Sequence, residues 1–415
     1  MESAVLYVVL AAVLGLYMTW GVGANDVANA MGTSVGSKAL SVRKAVIIAA
    51  IFEFTGAFLA GGHVTGTIRK GIIDAAALPG PDVLVFGMLA ALLGAGIWLM
   101  VASWLGWPVS TTHTIVGALI GFGVAGIGTD AVAWGQVGSI LASWIVSPLL
   151  GGMIAFFLAQ SIRVFILEAE DPMAAAKRYG PVYVFLMGML ITLVTVWKGL
   201  AHLEVELSTY GTLGLAVLAG LLTALVGRWL IARVRTDPLA ESRSVFAGVE
   251  RVFAPLCVFT ACAMAFAHGS NDVANGVGPL AAVVSTASTG EVLQDSPLPT
   301  WILVLGGLGI VLGLATMGYR VMRTIGTRIT ELTPSRGFCA ELAAATTVVV
   351  ASRLGLPVST THIIVGAVLG VGFARGIAAI DMRIVIRIIA SWIITLPVGA
   401  GLAALFYFAF RAVLG

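Results

Sequence analysis

Apolar residues fill this chain rather than recurring on one face. Runs of roughly 20 apolar residues, each long enough as a helix to cross a hydrocarbon core of about 30 Å, follow one another with short polar connections between them. The pattern predicts an all-α polytopic membrane protein of twelve transmembrane segments: 4–36, 41–61, 83–104, 107–126, 132–160, 182–201, 211–232, 250–285, 300–320, 337–355, 357–375 and 383–411. No stretch remains for a soluble domain. Met1-Glu2-Ser3 supplies no basic n-region and the first segment carries Asp26, so this segment reads as a span and not as a signal peptide.

Charge fixes an orientation. Only 10% of the residues are charged, against about a quarter in an ordinary globular domain, and short cytoplasmic loops are expected to hold most of the Lys and Arg. With the N-terminus outside, 18 of the 23 basic residues fall on the cytoplasmic side, among them Lys38, Arg43, Lys44, Arg163, Arg235, Arg243, Arg336 and Arg375. Arg69, Lys70, Lys198, Arg353 and Arg411 fall outside. Both termini are therefore expected outside, in a cell membrane. The net charge of +3 forms no clustered basic face with aromatics, which removes nucleic acid as a partner. Cys257, Cys262 and Cys339 show neither metal-ligand spacing nor an even disulfide framework and read as small core residues.

The chain repeats itself. Gly23-Ala24-Asn25-Asp26-Val27-Ala28-Asn29-Ala30 recurs 246 residues later as Gly269-Ser270-Asn271-Asp272-Val273-Ala274-Asn275-Gly276. Pro108-Val109-Ser110-Thr111-Thr112-His113 matches Pro357-Val358-Ser359-Thr360-Thr361-His362 at 249, and Ser143-Trp144-Ile145 matches Ser391-Trp392-Ile393 at 248. Residues 1–160 then form one five-segment repeat, 250–415 the second, and 161–249 two connecting helices with a cytoplasmic loop. Seven crossings separate the two starts, an odd number, so the second copy enters from the opposite face. Lys38, Arg43 and Lys44 follow the first motif whereas residues 285–299 after the second contain no Lys or Arg, as inversion requires. Inverted repeats are a device of secondary transporters, with substrate and ion sites near the midplane on broken helices or re-entrant segments.

Four carboxylates lie inside the segments: Asp26, Glu53, Asp272 and Glu341. An acid at bilayer depth costs at least about 2.5–3.5 kcal/mol and is by default a functional candidate. Glycine, Asn and Asp together disfavour an uninterrupted helix, so a break is expected at each octapeptide, with released carbonyls joining the Asp and Asn oxygens around a small cation. A single Asn-Asp also caps ordinary helix starts; it is the duplication that argues for a site. After each proline, Ser110, Thr111 and Thr112, and Ser359, Thr360 and Thr361, open an apolar helix whose N–H groups and dipole suit an anion. No Lys or Arg sits in either motif, so the anion's charge must be offset by a bound cation, and each ligand favours the other. Glu53 and Glu341 are not repeat equivalents; each is either a further cation or gating site or a carboxylate satisfied by neighbouring hydroxyls. His113, His362 and His268 adjoin the motifs as proton shuttles or as hydrogen-bonded packing residues.

In these motifs the chain resembles the inorganic phosphate transporter (PiT) family, whose repeats carry Gly-x-Asn-Asp-x-x-Asn. The resemblance runs over nearly the whole chain. It implies a sodium- or proton-coupled phosphate symporter, commonly a homodimer, with no resident cofactor. Phosphate would meet Asn25, Ser110, Thr111, Thr112, Asn271, Ser359, Thr360 and Thr361. Cations would meet Asp26, Asn29, Asp272, Asn275, Glu53 and Glu341, with Na⁺ at Asp26 and Asp272. Glu341, in Cys-Ala-Glu-Leu-Ala-Ala-Ala, resembles a family glutamate important for transport. Other readings are a sulfate permease of the same architecture, a passive anion channel, and an intramembrane hydrolase. The last has no need of two opposed copies of one constellation, and an enzyme is not expected.

Overall fold

The computed structural model describes residues 2–62, 64–66, 71–74, 77–199, 208–234, 245–292 and 298–415. Arg69, Lys70, Arg235 and Arg243 of the charge census lie outside the described residues, as does the side chain of Lys198. Fourteen α-helices make up the described part: α1 Glu2–Gly36, α2 Val42–Ala60, α3 Pro81–Leu105, α4 Thr111–Gly126, α5 Trp134–Ile162, α6 Pro172–Val194, α7 Thr209–Ala232, α8 Ala247–Asp272, α9 Ala274–Thr289, α10 Thr300–Thr316, α11 Gly318–Thr327, α12 Pro334–Arg353, α13 Thr360–Arg375 and α14 Met382–Leu414.

Seven helical stretches among the described residues are long and apolar enough to cross a membrane, one of them the joined run Ala247–Thr289, and eight if the bent pair α10–α11 is one span. The other predicted segments are helices too, with differences that have causes. α2 and α12 are 19 and 20 residues long, but each carries three charged residues. α4 and α13 have 16 residues each, roughly 24 Å at 1.5 Å per residue, short of a full hydrocarbon core. Ile145, Leu149, Phe157, Leu225 and Ile393 are 63–70% exposed, as side chains facing lipid must be.

The helices pack in matched pairs. α1 lies against α3 and α10, and α8 lies against α12 and α2; α4 packs on α14, and α13 on α5. Exchanging each helix for its counterpart in the sequence repeat therefore maps these pairs onto one another. α6 and α7 pack mainly on each other, α6 also touching α8. The loops from α3 to α4 and from α12 to α13 turn through Gly106 and Gly355, both with φ +68°. That left-handed conformation penalises any side chain with a Cβ, and it reverses the chain tightly enough to start α4 and α13 in the protein interior.

The expected break at the first octapeptide does not occur. α1 runs unbroken from Glu2 to Gly36 through Gly23–Ala30, and at the second octapeptide only Val273 interrupts the helix, keeping helical angles of φ −57° and ψ −31°. The Asn and Asp side chains find partners on other helices instead of competing for their own backbone. Gly23 serves close approach rather than unwinding, because a Cβ there would be driven into Ile310 O on α10. The marked bend lies elsewhere, 69° between α10 and α11.

Gly106→Val and Gly355→Val should each cost about 1–2 kcal/mol through the left-handed angle and lower the thermal unfolding midpoint of the purified protein. Gly401→Val, on a helix with no neighbour near its added carbon, should leave the midpoint unchanged within about 1 °C.

Candidate functional site

The two short helices point their first turns at each other in the middle of the bundle. Ser110 caps α4 by accepting from His113 N at 3.1 Å, and Ser359 caps α13 by accepting from His362 N at 3.2 Å. Each start is pinned to the loop before the other: Thr112 donates to Val358 O at 3.2 Å, and Thr361 to Val109 O at 3.1 Å. Two positive helix ends, with unpaired N–H groups in their first turns, thus converge.

The octapeptide acids lie at this junction. Thr111 donates to Asp26 Oδ2 at 2.6 Å and Thr361 to Asp26 Oδ1 at 3.2 Å, while Thr360 donates to Asp272 Oδ2 at 2.7 Å. Asn29 Nδ2 donates to Thr360 and Thr361 at 3.2 and 2.9 Å; reciprocally, Asn275 Nδ2 donates to Thr111 and Thr112 at 3.1 and 3.4 Å. Asn29 Oδ1 is buried with no hydrogen-bond partner among the described residues. All these side chains are at most 1% exposed.

Asn25 and Asn271 reach the junction but are committed to the loops. Asn25 Nδ2 donates to Ser103 Oγ and Trp107 O, at 3.2 and 2.9 Å, and its Oδ1 accepts from Val109 N at 3.1 Å. Asn271 Nδ2 donates to Val358 O at 3.2 Å and also to Asp272 Oδ1 at 2.5 Å, and its Oδ1 accepts from Ser352 at 3.1 Å. Ser110 and Ser359 likewise use their oxygens as caps. These four hold the threonines in place.

Three carboxylates gather around one imidazole. His268 Nε2 is 3.0 Å from Asp272 Oδ2 and 3.9 Å from Asp26 Oδ2, and its Nδ1 is 3.4 Å from Glu53 Oε2. Asp26, His268 and Asp272 present atoms within 4.8 Å of one another, an arrangement able to hold a metal ion. Burial is complete, and neither oxygen of Glu53 has a hydrogen-bond partner among the described residues. Even with the imidazole protonated, three ionised carboxylates would leave two negative charges without compensation, which a dry interior does not tolerate.

Glu341 is a separate centre, satisfied by hydroxyls. Thr33 Oγ1 and Ser34 Oγ donate to its Oε1, the latter at 2.8 Å, and Thr260 Oγ1 donates to Oε2 at 3.1 Å. Cys257 Sγ lies 3.8 Å from Oε2, so this thiol borders a polar site and is more than filling. His113 and His362 belong to neither group. They meet edge to face, with ring centroids 4.3 Å apart, and stack on Trp144 and Trp392 at 3.6 and 3.7 Å, a four-ring ladder between the repeats.

A model of the phosphate transporter family matches residues 22–403. The chain belongs to that family. It is 48% identical over 411 residues to a Haemophilus influenzae protein that bears the provisional name phosphate permease, covering 97% of this chain and 96% of that one. It is 44% identical over 420 residues to the chloroplastic inorganic phosphate transporter 2-1 of Arabidopsis thaliana, covering 96% of this chain and 71% of the plant protein. A solved structure titled the sodium-dependent phosphate transporter superposes with a TM-score of 0.89 at 39% identity, over 98% of this chain and 99% of that one. The family is one of transporters and its substrate is phosphate, and together with the long apolar helices this makes the chain a multi-pass membrane protein.

Partners of the motif side chains escaped the sequence reading. Ser103 and Ser352 are 249 apart, the offset of the second motif pair, and that repeat signal was available. His268 lies four residues before Asp272, one helical turn, which places both on one face; its approach to Glu53 of α2 has no local signature.

Asn25→Ala leaves the buried Val109 N–H unpaired and should cost about 1–3 kcal/mol. Hydrogen exchange at Val109 should speed up by at least tenfold while amides in α6 and α7 keep their protection.

Proposed function

We propose that this phosphate transporter is a secondary active symporter that imports phosphate with Na⁺, by alternating access around the junction of α4 and α13. The observation that carries the reading is the buried set of Asp26, Asp272 and Glu53 beside threonine-lined helix starts. The acids demand cations. The same hydroxyls link the two cargoes: Thr111 and Thr360 now donate to Asp26 and Asp272. A Na⁺ on those carboxylates releases the hydroxyls to turn toward a phosphate oxyanion, whose charge the Na⁺ also offsets. Asn29 Oδ1 is a further oxygen for the cation.

The printed name of the superposing structure, a sodium-dependent transporter, supports Na⁺. The matched helix pairs support two five-segment repeats, 1–160 and 250–415, in inverted orientation with 161–249 between them. Twelve crossings, outside termini, a plasma-membrane location and a homodimer complete the reading. One observation favours H⁺ as a second coupling ion: the His268 imidazole lies between Glu53 and Asp272, 3.4 and 3.0 Å from their oxygens, where a titratable group can take up a proton.

Asp26→Asn and Asp272→Asn, assembled in proteoliposomes at wild-type level, should each reduce Na⁺-driven phosphate uptake at least about tenfold, a loss of roughly 1.4 kcal/mol or more. Uptake at wild-type rate in either variant refutes the ion site. Phosphate uptake should persist in excess unlabelled sulfate; strong competition would make the chain a general oxyanion permease.

His268→Gln separates the coupling ions. For Na⁺ coupling, the variant should keep its dependence on Na⁺ when choline replaces it, and should lose only the response to pH. If accumulation in the wild type follows the pH gradient and ignores choline, the Na⁺ reading fails.

A further inference from the structure

A basic feature lies away from the transport junction, where the end of α5, the start of α12 and the end of α13 meet. A cavity of about 360 Å³ opens there, with Arg163, Arg336, Arg375, Ser335 and Glu168 among its walls. Ile162, Leu167 and Val371 supply apolar lining. The three arginines differ in how they are compensated. Arg163 Nε pairs with Glu168 at 2.7 Å and its Nη1 donates to Ala374 O at 3.3 Å. Arg375 Nη2 pairs with Glu331 at 3.2 Å. Arg336 has only a long contact, 3.5 Å to Glu331 O, as its hydrogen bond among the described residues.

Arg336 is more than half buried, which with the like charge of Arg375 holds its pKa below the ordinary guanidinium value; Glu250 and Glu331 act the other way. Glu250 is occupied on the N-terminus of α12, accepting from Ser335 N at 2.8 Å and Ser335 Oγ at 2.9 Å. The walls thus hold three guanidinium groups and one carboxylate, with Glu250 and Glu331 close by, and Arg336 is the guanidinium that has no ion pair among the described residues. A cavity of this size takes a phosphate group and a few attached atoms, and planar guanidinium forks match its oxygens. Basic pockets between transmembrane helices at a membrane surface also bind acidic lipid headgroups.

We propose that this cavity is a binding site for a phosphate monoester or diester group, distinct from the transported phosphate, with Arg336 as its principal ligand. The chemistry is the same for a free phosphorylated metabolite and for the headgroup of an anionic phospholipid. α5 and α13 pack on each other whereas Ser335 and Arg336 belong to α12, so the ligand bridges elements of both repeats.

Two arms separate the sources. Purified full-length protein is placed in nanodiscs of phosphatidylcholine and phosphatidylglycerol, and retained lipid is measured by native mass spectrometry. In parallel, lipid-depleted protein in detergent is titrated with glycerol 3-phosphate, with the unfolding midpoint as readout. Selective retention of phosphatidylglycerol assigns the lipid; saturable stabilisation by glycerol 3-phosphate assigns the soluble ligand. In either case Arg336→Gln should weaken binding at least tenfold, Arg336→Lys should weaken it less, and Arg411→Gln should not change it. Should Arg336→Gln fail to assemble, Arg375→Gln serves, with a loss expected in the same direction. Absence of both ligands, or equal binding by the Gln variants, overturns the proposal. Both readouts are of binding, so a failure of Na⁺ coupling in uptake assays leaves this test standing.

Discussion

Asp26 and Asp272 lie where the first turns of α4 and α13 meet, held by threonine hydroxyls and closed off from water. Most of the architecture can be traced to the need to keep carboxylates there. Short helices must begin in the interior, so the chain must reverse at Gly106 and Gly355. Their first turns must be held in register, so Asn25 is spent on the loop before α4, and Asn271 divides its amide between the loop before α13 and Asp272. An acid in lipid is costly, and here its cost is met by helix ends and hydroxyls of α4 and α13 and by an imidazole of α8.

The octapeptide showed its importance and misled about its form. Polar residues in Gly-x-Asn-Asp-x-x-Asn signal unwinding when their partners are taken to be local, and here the partners lie on other helices. Helix propensity is a weak preference, and the tertiary bonds of Asn25, Asp26 and Asn29 override it. The helix starts at Thr111 and Thr360 were legible because proline, a capping Ser and an apolar run are all local signals. Their meeting was not, since it depends on the packing of segments some 250 residues apart. Cys257 and Cys339 are buried core residues, as read, but nothing near Cys257 in sequence announces that Glu341 comes within reach of its sulfur.

The four-ring ladder adds a constraint of another kind. His113 and His362 enter the helices just behind the hydroxyls, and their stacking on Trp144 and Trp392 fixes the rotation of α4 and α13 about their own axes. A turn of either helix would move its threonines off Asp26 and Asp272 and break the stack together. Aromatic packing and hydroxyl placement are thereby a single degree of freedom.

Exchange of the two halves returns nearly the same set of contacts at the centre, and a molecule made wholly in that way would be indifferent to which half plays which part. Glu53, His268 and Glu341 are the carboxylates and the imidazole there that have no counterpart under the exchange. Whatever preference the protein has for one arrangement over its mirror must be written in those three side chains, and an evolving lineage could retune its resting bias there without disturbing the shared junction.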